Sequence, residues 1–331
     1  EYGLFYFLRA IADRIGLMDC LSSAIPDGWQ EIFMLADYLI ATGDPFLYCD
    51  DWIQTTESFP VGNMTSQRIS ELLLKIRPEQ REKFFKAWCS KRSETEYLAL
   101  DITSSSSYSE YIDDVEWGYN RDEESLPIIN ICMLMGEKTR LPVYEVVYSG
   151  SLKDVVTLET TLAQLDAVAK GKPVLLVMDK GFYSHRNVTR LLGSTELPEK
   201  KFIVSVPFTS SFARKQVESE WKDIDKVENT IVVNEDSMRA VTKERAWSTG
   251  RKVFTHIYYS ARKANRLRED LYTHVALLRE AAEMDPARYA RDAECQKYLI
   301  IRKSKKSESG YTVAIRDDAV AEELRTAGWM I

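Results

Sequence analysis

The order of apolar and polar positions divides the chain into three regimes. Over residues 1–95, apolar residues recur three and four apart, the spacing of helices that bury one face. Tyr2 to Ile15, Trp29 to Ile40, Ser66 to Ile76 and Pro78 to Trp88 read as helices, and Gly43-Asp44-Pro45 breaks the second. From Tyr97 the pattern becomes short strands: Tyr97 to Thr103, Leu126 to Met135 and Leu141 to Tyr148. Asp154 opens a helix to about Ala169, with Val155, Leu158, Leu162, Leu165 and Val168 on its apolar face. Gly171-Lys172-Pro173 ends it. Val174 to Met178 is then an unbroken apolar run, as expected of a strand covered on both faces of a parallel sheet. A helix from His185 to Leu192 and a strand from Lys201 to Val206 complete the order βββαβαβ, an α/β domain with a mixed sheet. Beyond Pro207 the alternation fades. Trp221 to Thr230 and Ile231 to Val233 are short, Val253 to Tyr259 alternates like a strand, and Leu267 to Met284 is helical. Tyr298 to Arg302 and Tyr311 to Ile315 look like a hairpin.

These regimes give an N-terminal helical domain over 1–95, the first part of a catalytic core over 96–207, and an α+β insertion over 208–327. Residues 328–331 are expected to start a strand returning to the core, opened by a turn at Gly328. With Glu1 first and an apolar strand just begun at its end, the chain reads as a fragment. Its 331 residues suit about two domains, and 45% apolar with 29% charged residues belongs to a folded chain, not a disordered one. No apolar run approaches the roughly 18 residues of a membrane span, and no secretion signal opens the chain. Cys20, Cys49, Cys89, Cys132 and Cys295 form no C-x-x-C pair, so neither a disulfide framework nor a zinc ribbon is indicated. A cytoplasmic protein without a membrane partner is expected.

The net charge of −7 hides an uneven distribution. Acidic residues dominate residues 1–200, whereas Arg239 to Arg268 holds nine basic residues and one acid, Glu244. Arg245, Lys252, Arg262, Lys263, Arg266 and Arg268 there interleave with Trp247 and Tyr258. Cations neutralise phosphates and aromatics stack on unpaired bases, so this segment is the candidate nucleic-acid surface. A solvated charged face is the alternative, and Arg302 to Lys306 is a second basic cluster open to the same two readings. In the helical domain, Arg77, Arg81, Lys86, Lys91 and Arg92 could form a basic face, though a helical bundle without chemistry explains that region as well.

The sharpest chemical feature is a pair of aspartates. Asp101 lies in the first strand and Asp179 ends the fourth. If those strands are parallel neighbours, about 4.8 Å apart, both carboxylates lie at one end of the sheet, where they can share divalent cations. Two ions roughly 3.5–4 Å apart clamp the attacking and leaving oxygens of phosphoryl transfer, and oxygen ligands suit Mg²⁺ or Mn²⁺. An Asp after a strand is also a common turn former or helix N-cap, and the pattern alone leaves both readings open. His185, His256 and His274 lack metal-site spacing, and no P-loop, G-x-S-x-G or G-x-G-x-x-G is present.

Several motifs in order carry a family resemblance. Leu100-Asp101-Ile102-Thr103-Ser104 with Ser107-Tyr108-Ser109 resembles the first-carboxylate motif of the IS4-type bacterial transposases. Gly118-Tyr119-Asn120-Arg121-Asp122, Leu126-Pro127, Leu141-Pro142 and Gly150-Ser151-Leu152-Lys153-Asp154-Val155 continue the pattern. Met178-Asp179-Lys180-Gly181-Phe182-Tyr183-Ser184, with Asn187, is similar to the second-carboxylate motif, and the whole stands nearest the IS1634-like subgroup. The resemblance implies an RNase H-like core whose three acids (DDE) bind two Mg²⁺ or Mn²⁺ ions, with an insertion after the fifth strand. It implies cleavage and strand transfer of an insertion sequence, acting on terminal inverted repeats and target DNA as a homodimer at the nucleoid. It assigns catalytic and metal-binding roles to Asp101 and Asp179. The third acid, a Glu in a Y-x2-R-x3-E-x6-K signature, has no match after Pro207; Glu294, Glu322 and Glu323 stand outside any such signature, which places the acid beyond Ile331. Two alternatives remain: an inactive or domesticated DNA-binding derivative, or another RNase H-like nuclease.

Overall fold

The computed structural model describes residues 3–91, 98–120, 124–152, 154–169, 175–193, 200–304, 307 and 310–331. Arg92, Tyr97, Arg121, Asp122, Lys153, Gly171 to Val174 and Lys305-Lys306 therefore lie outside the described residues, as do the side chains of Val155, Leu165 and Val168. The chain divides into two compact units, residues 1–203 and 204–331.

The first unit opens with α1 (Gly3–Ile15), α2 (Leu17–Ala24), α3 (Trp29–Thr42), α4 (Cys49–Thr55), α5 (Ser66–Leu74) and α6 (Pro78–Lys91). Their apolar stripes meet in a core around Phe5, Phe33, Met34 and Phe59 and a second around Tyr38, Cys49, Met64 and Ile69. Gly43 stops α3: its φ of 71° is left-handed, and its N–H closes on the Leu39 carbonyl. Three of the five cations proposed for a basic face, all on α6, are engaged in ion pairs. Arg81 pairs with Glu145, Lys86 with Glu82 and Lys91 with Asp19. Trp88 donates its indole N–H to the Pro142 carbonyl at 2.7 Å, so α6 is fastened to the sheet.

That sheet is built from β1 (Leu98–Ser106), β2 (Ile128–Gly136), β3 (Pro142–Ser149), then α7 (Asp154–Ala169), β4 (Leu175–Met178), α8 (His185–Leu191) and β5 (Lys201–Val204). Among the described residues the strand order is β3-β2-β1-β4-β5, with β1 antiparallel to β2 and parallel to β4. The fold is the mixed α/β, RNase H-like arrangement that the βββαβαβ pattern and the motifs indicated. Alternation along β1 sets its two faces: Leu98, Leu100 and Ile102 are buried, whereas Asp101, Thr103 and Ser105 are exposed. On α7, Leu158 and Leu162 are buried as the spacing required.

The second unit comprises α9 (Ser211–Glu220), β6 (Thr230–Val233), β7 (Asp236–Ala246), β8 (Lys252–Tyr259), α10 (Ala261–Met284), α11 (Pro286–Tyr289), α12 (Ala293–Tyr298), β9 (Leu299–Lys303), β10 (Tyr311–Ile315), α13 (Asp317–Leu324) and β11 (Trp329–Met330). The hairpin of β9 and β10 stands where the pattern put it. The strand expected at 328–331 is present: β11 pairs antiparallel with β8, Trp329 opposite Tyr259, in a four-stranded sheet ordered β11-β8-β7-β6. The reason is local. Trp329 is buried with Val217, Ile224 and Ile257, and stacks on Trp221 with ring centroids 5.8 Å apart. Gly328 makes this seat possible, since with φ at 81° a Cβ would lie 2.5 Å from the Ser260 carbonyl oxygen.

Candidate active site and basic segment

The parallel pairing of β1 with β4 runs Leu98–Leu176, Ala99–Val177 and Leu100–Met178. The next residue on each strand is an aspartate: Asp101, partway along β1, and Asp179, just past the end of β4, so both sequence-distant acids directly follow the last paired residues of adjacent strands. Both are exposed. One oxygen of Asp101 accepts the Ile102 backbone N–H at 2.8 Å. Asp179 occupies the N-cap position of a single 3-10 turn, Lys180–Phe182, yet its side chain makes no capping hydrogen bond. The N-cap alternative thus loses its support at Asp179. Two hard carboxylate donors fit a divalent cation of the Mg²⁺ type. Among the described residues, however, no group of three or more His, Cys, Asp or Glu side chains is placed to hold a metal.

The segment after Asp179 is held from below. Phe182 is buried, and its N–H bonds to the Asp179 carbonyl at 3.2 Å. Ser184 caps α8 by accepting the Asn187 N–H at 3.0 Å, and the Asn187 side-chain amide donates to the Phe182 carbonyl at 2.9 Å. Ser184 and Asn187, the polar residues that close this motif, are spent on the shape of the turn and the start of the helix.

The glycine motifs have a different role. Glu116 and Ile128 exchange backbone hydrogen bonds at 2.9 and 3.0 Å, and Gly150 N–H donates to the Asp114 carbonyl. A Cβ on Gly118 would sit 1.9 Å from the Gly150 carbonyl oxygen, and one on Gly150 would sit 2.1 Å from that of Ile128. Only glycine permits this approach, which folds the long β1–β2 connection back on the sheet. Asn130, a polar residue inside the apolar run of β2, is a site-shaping residue that sequence reasoning missed. It is buried, and its side-chain amide spans the Ser149, Gly150 and Leu152 carbonyls at 3.2–3.4 Å. Hydrogen bonds from Ser149 and then Ser151 hold the Glu116 carboxyl below its usual range. The connection exposes Tyr108, Tyr111, Trp117 and Tyr119 among acids, with no Lys or Arg between residues 98 and 120. Over those residues it offers no cation to a phosphate.

In the second unit, the basic segment is not the uncompensated field that its sequence suggested. Arg239 pairs with Asp225, Lys243 with the buried Glu220, Lys252 with Glu244, Arg262 with Asp236 and Arg266 with Asp270. Four of those five acids come from outside residues 239–268, brought in by folding. Nor do the candidate DNA-binding residues share a surface. Pairing of Thr242 with His256 and Ala240 with Tyr258 puts Lys252 and Tyr258 on the outer face of β7–β8. Arg245 lies on the opposite face with its Nε buried and unbonded, and Trp247 packs edge-on against Phe212 of α9. Arg262, Lys263, Arg266 and Arg268 are exposed in the first turns of α10, where the Ser260 hydroxyl caps the helix by accepting the Lys263 N–H. The late acids are engaged too: Glu294 with His274, Glu322 with Arg325, and Glu323 with Tyr298 and Lys297.

Against known proteins, the family model described as the transposase DDE domain matches residues 92–264, just over half of the chain and spanning both aspartates and most of the basic segment. No curated protein matches the sequence. Among solved structures, the chain is similar to the piggyBac transposase in a synaptic complex with hairpin DNA, at 12% identity over 74% of this chain with a TM-score of 0.33. It spans about half of that protein, 51%. It is also similar to the Mos1 transposase in a paired-end complex with the left transposon end, at 11% identity over 60% of this chain and 72% of that one, with a TM-score of 0.23. On the match over residues 92–264, the chain belongs to the transposase DDE domain family.

Proposed function

We propose that the chain acts as an insertion-sequence transposase of the IS4 type, nearest the IS1634-like subgroup, which cleaves and transfers DNA strands with Asp101 and Asp179 as its first two acids. The observation that carries this reading is the β1–β4 register, in which the two motif aspartates directly follow the last paired residues, Leu100 and Met178. Asp101 and Asp179 hold two Mg²⁺ or Mn²⁺ ions together with a third acid. When bound, such ions supply the activated nucleophile and the charge neutralisation that phosphodiester attack needs. The substrate is double-stranded DNA, the terminal repeats and then the target, and the working form on DNA is a homodimer. Of the basic segment, this reading keeps Lys252, Arg262, Lys263, Arg266, Arg268 and Tyr258 as DNA-binding residues and assigns Arg245 and Trp247 to packing.

A second reading, an inactive DNA-binding derivative, is favoured by one observation: among the described residues no group of three or more His, Cys, Asp or Glu side chains is placed to hold a metal. Strand cleavage on terminal-repeat DNA with Mg²⁺ or Mn²⁺ separates the two. The transposase reading expects cleavage that Asp101→Asn and Asp179→Asn each abolish while DNA binding persists. Binding without cleavage in any metal, by a protein carrying every family motif, would establish the derivative.

A further inference from the structure

Resting on the reading of Asp179 as a metal ligand, we propose that Asn187 is the positioning residue that sets the direction of the Asp179 carboxylate. Asp179 leaves the sheet at the end of β4 and has no side-chain hydrogen bond to hold it at the cap of the turn it opens. Its direction is therefore inherited from the backbone of Lys180–Phe182. That backbone is tied by two main-chain bonds, Phe182 N–H to the Asp179 carbonyl and Tyr183 N–H to the Lys180 carbonyl, and by the bond from the Asn187 amide to the Phe182 carbonyl. Of these three, the last alone is supplied by a side chain. Asn187 is 6% exposed and stands on α8, whose own first turn is fixed separately by the Ser184 hydroxyl. The buried Phe182 ring prevents the turn from swinging outward. The result is a rigid link from a helix, through one amide, to the residue that would bear the cation. Groups that orient a metal ligand without touching the metal typically change affinity by about 10–100-fold when removed.

The geometry also separates a positioning role from a merely structural one. Ser184 and Asn187 both serve the start of α8, but only the Asn187 side chain reaches the turn. Ser184→Ala should weaken the helix start and leave the turn tied; Asn187→Leu, near in volume, should free the turn and leave the cap.

The test is Mn²⁺ binding to the 331-residue chain, read by electron paramagnetic resonance, with Asp179→Asn as reference. The expected result is that Asp179→Asn removes the binding, Asn187→Leu weakens it about tenfold, and Ser184→Ala keeps it within about twofold. Amide exchange should quicken at Phe182 and Tyr183 in Asn187→Leu and stay slow at Val188 and Leu192, whose bonds lie within α8. If Asn187→Leu does not fold, Asn187→Asp, of the same shape without the donor, is held to the same expectation. Parent-like Mn²⁺ affinity in either folded variant, with Asp179→Asn still abolishing it, overturns the role of Asn187 alone. Mn²⁺ binding that is absent, or indifferent to Asp179→Asn, overturns the metal-site reading and this inference with it.

Discussion

Two regions of this chain reverse the order that their sequences suggest. Asp101 and Asp179 are far apart along the chain, yet each directly follows the last residue pair, Leu100 and Met178, of the parallel strands β1 and β4. The nine cations from Arg239 to Arg268 are neighbours along the chain, yet the hairpin of β7 and β8 sends Lys252 and Arg245 to opposite faces. Folding also delivers Asp225, Glu220, Asp236 and Asp270 to neutralise four of them. Sheet topology is long-range and directional, so it concentrates groups whose spacing looks random. Charge along a strand is split by a period of two, and opposite charge is recruited from anywhere in the unit. A count of signs in a sequence window is therefore a poor guide to a local field.

The largest test of this contrast is at the acids. Asp101→Asn or Asp179→Asn should bring cleavage of terminal-repeat DNA to the uncatalysed background in the active protein, with little change in the thermal midpoint, because both side chains are exposed. A loss of folding instead would show that the pair is structural. For the 331-residue chain itself, two carboxylates without a third are expected to give feeble cleavage. Vigorous turnover would mean that one further ligand is held within these residues.

Next in size are the glycines that seat the loop over the sheet. Gly118→Ala and Gly150→Ala each place a methyl group against a carbonyl oxygen that belongs to a paired backbone and cannot retreat. Each should cost about 3 kcal/mol in urea unfolding, at the upper end of overpacking penalties. Gly43→Ala serves as control: it meets nothing within 4 Å and should cost only the strain of its positive φ, about 1 kcal/mol.

What the sequence made legible follows from these same causes. The core strands and α7 are readable because their apolar periods are strong and local. The aspartate pair is readable as chemistry, while its geometry depends on a strand order that periodicity suggests and only pairing establishes. The pattern misses β7, since Asp236 to Ala246 carries charge on both faces and its inner Lys243 is satisfied by a buried Glu220 from another element. It also starts α10 late, at Leu267, because Ala261 to Arg266 is polar and helical only by virtue of the Ser260 cap. Asn130 carries no sequence signal beyond a polar residue inside an apolar run, and Asn187, though part of the second-carboxylate motif, gives no sign in the sequence of the carbonyl it bonds.

A third kind of acid, buried alone, gives the next effect. Asp37 in α3 is 2% exposed, one of its oxygens has no hydrogen-bond partner, and burial pushes its carboxyl up from 3.8 to about 7. A raised folded-state value means that the folded chain holds this proton more tightly than the unfolded chain. The contribution is fully present below about pH 4 and is lost as pH rises toward 7. Thermal unfolding of the parent should weaken across that window. Asp37→Leu should flatten the slope and gain a few kcal/mol at pH 8, on the order that a shifted buried group supplies. An unchanged slope would show that Asp37 finds a partner in solution.

The smallest effect is the most pointed, because it asks whether recruited acids mask a DNA surface. Changing Arg262, Lys263, Arg266 and Arg268 together to Ala should weaken DNA binding and flatten its salt dependence by about one unit for each phosphate left without its cation. The flattening should fall short of four units, since Arg262 and Arg266 already have acidic partners. Asp236→Ala works in the opposite direction. It frees Arg262, whose exposed pair is worth about 0–1 kcal/mol, so DNA affinity should rise by up to roughly fivefold and its salt dependence should steepen. Trp247→Ala should lower stability by emptying the place beside Phe212 and leave the salt slope alone, whereas Tyr258→Ala on the outer face should cost affinity by removing a stacking surface. If Asp236→Ala leaves both affinity and slope unchanged while the fourfold variant binds as the parent does, α10 is a solvated face. The cations that meet DNA must then be sought elsewhere on the chain.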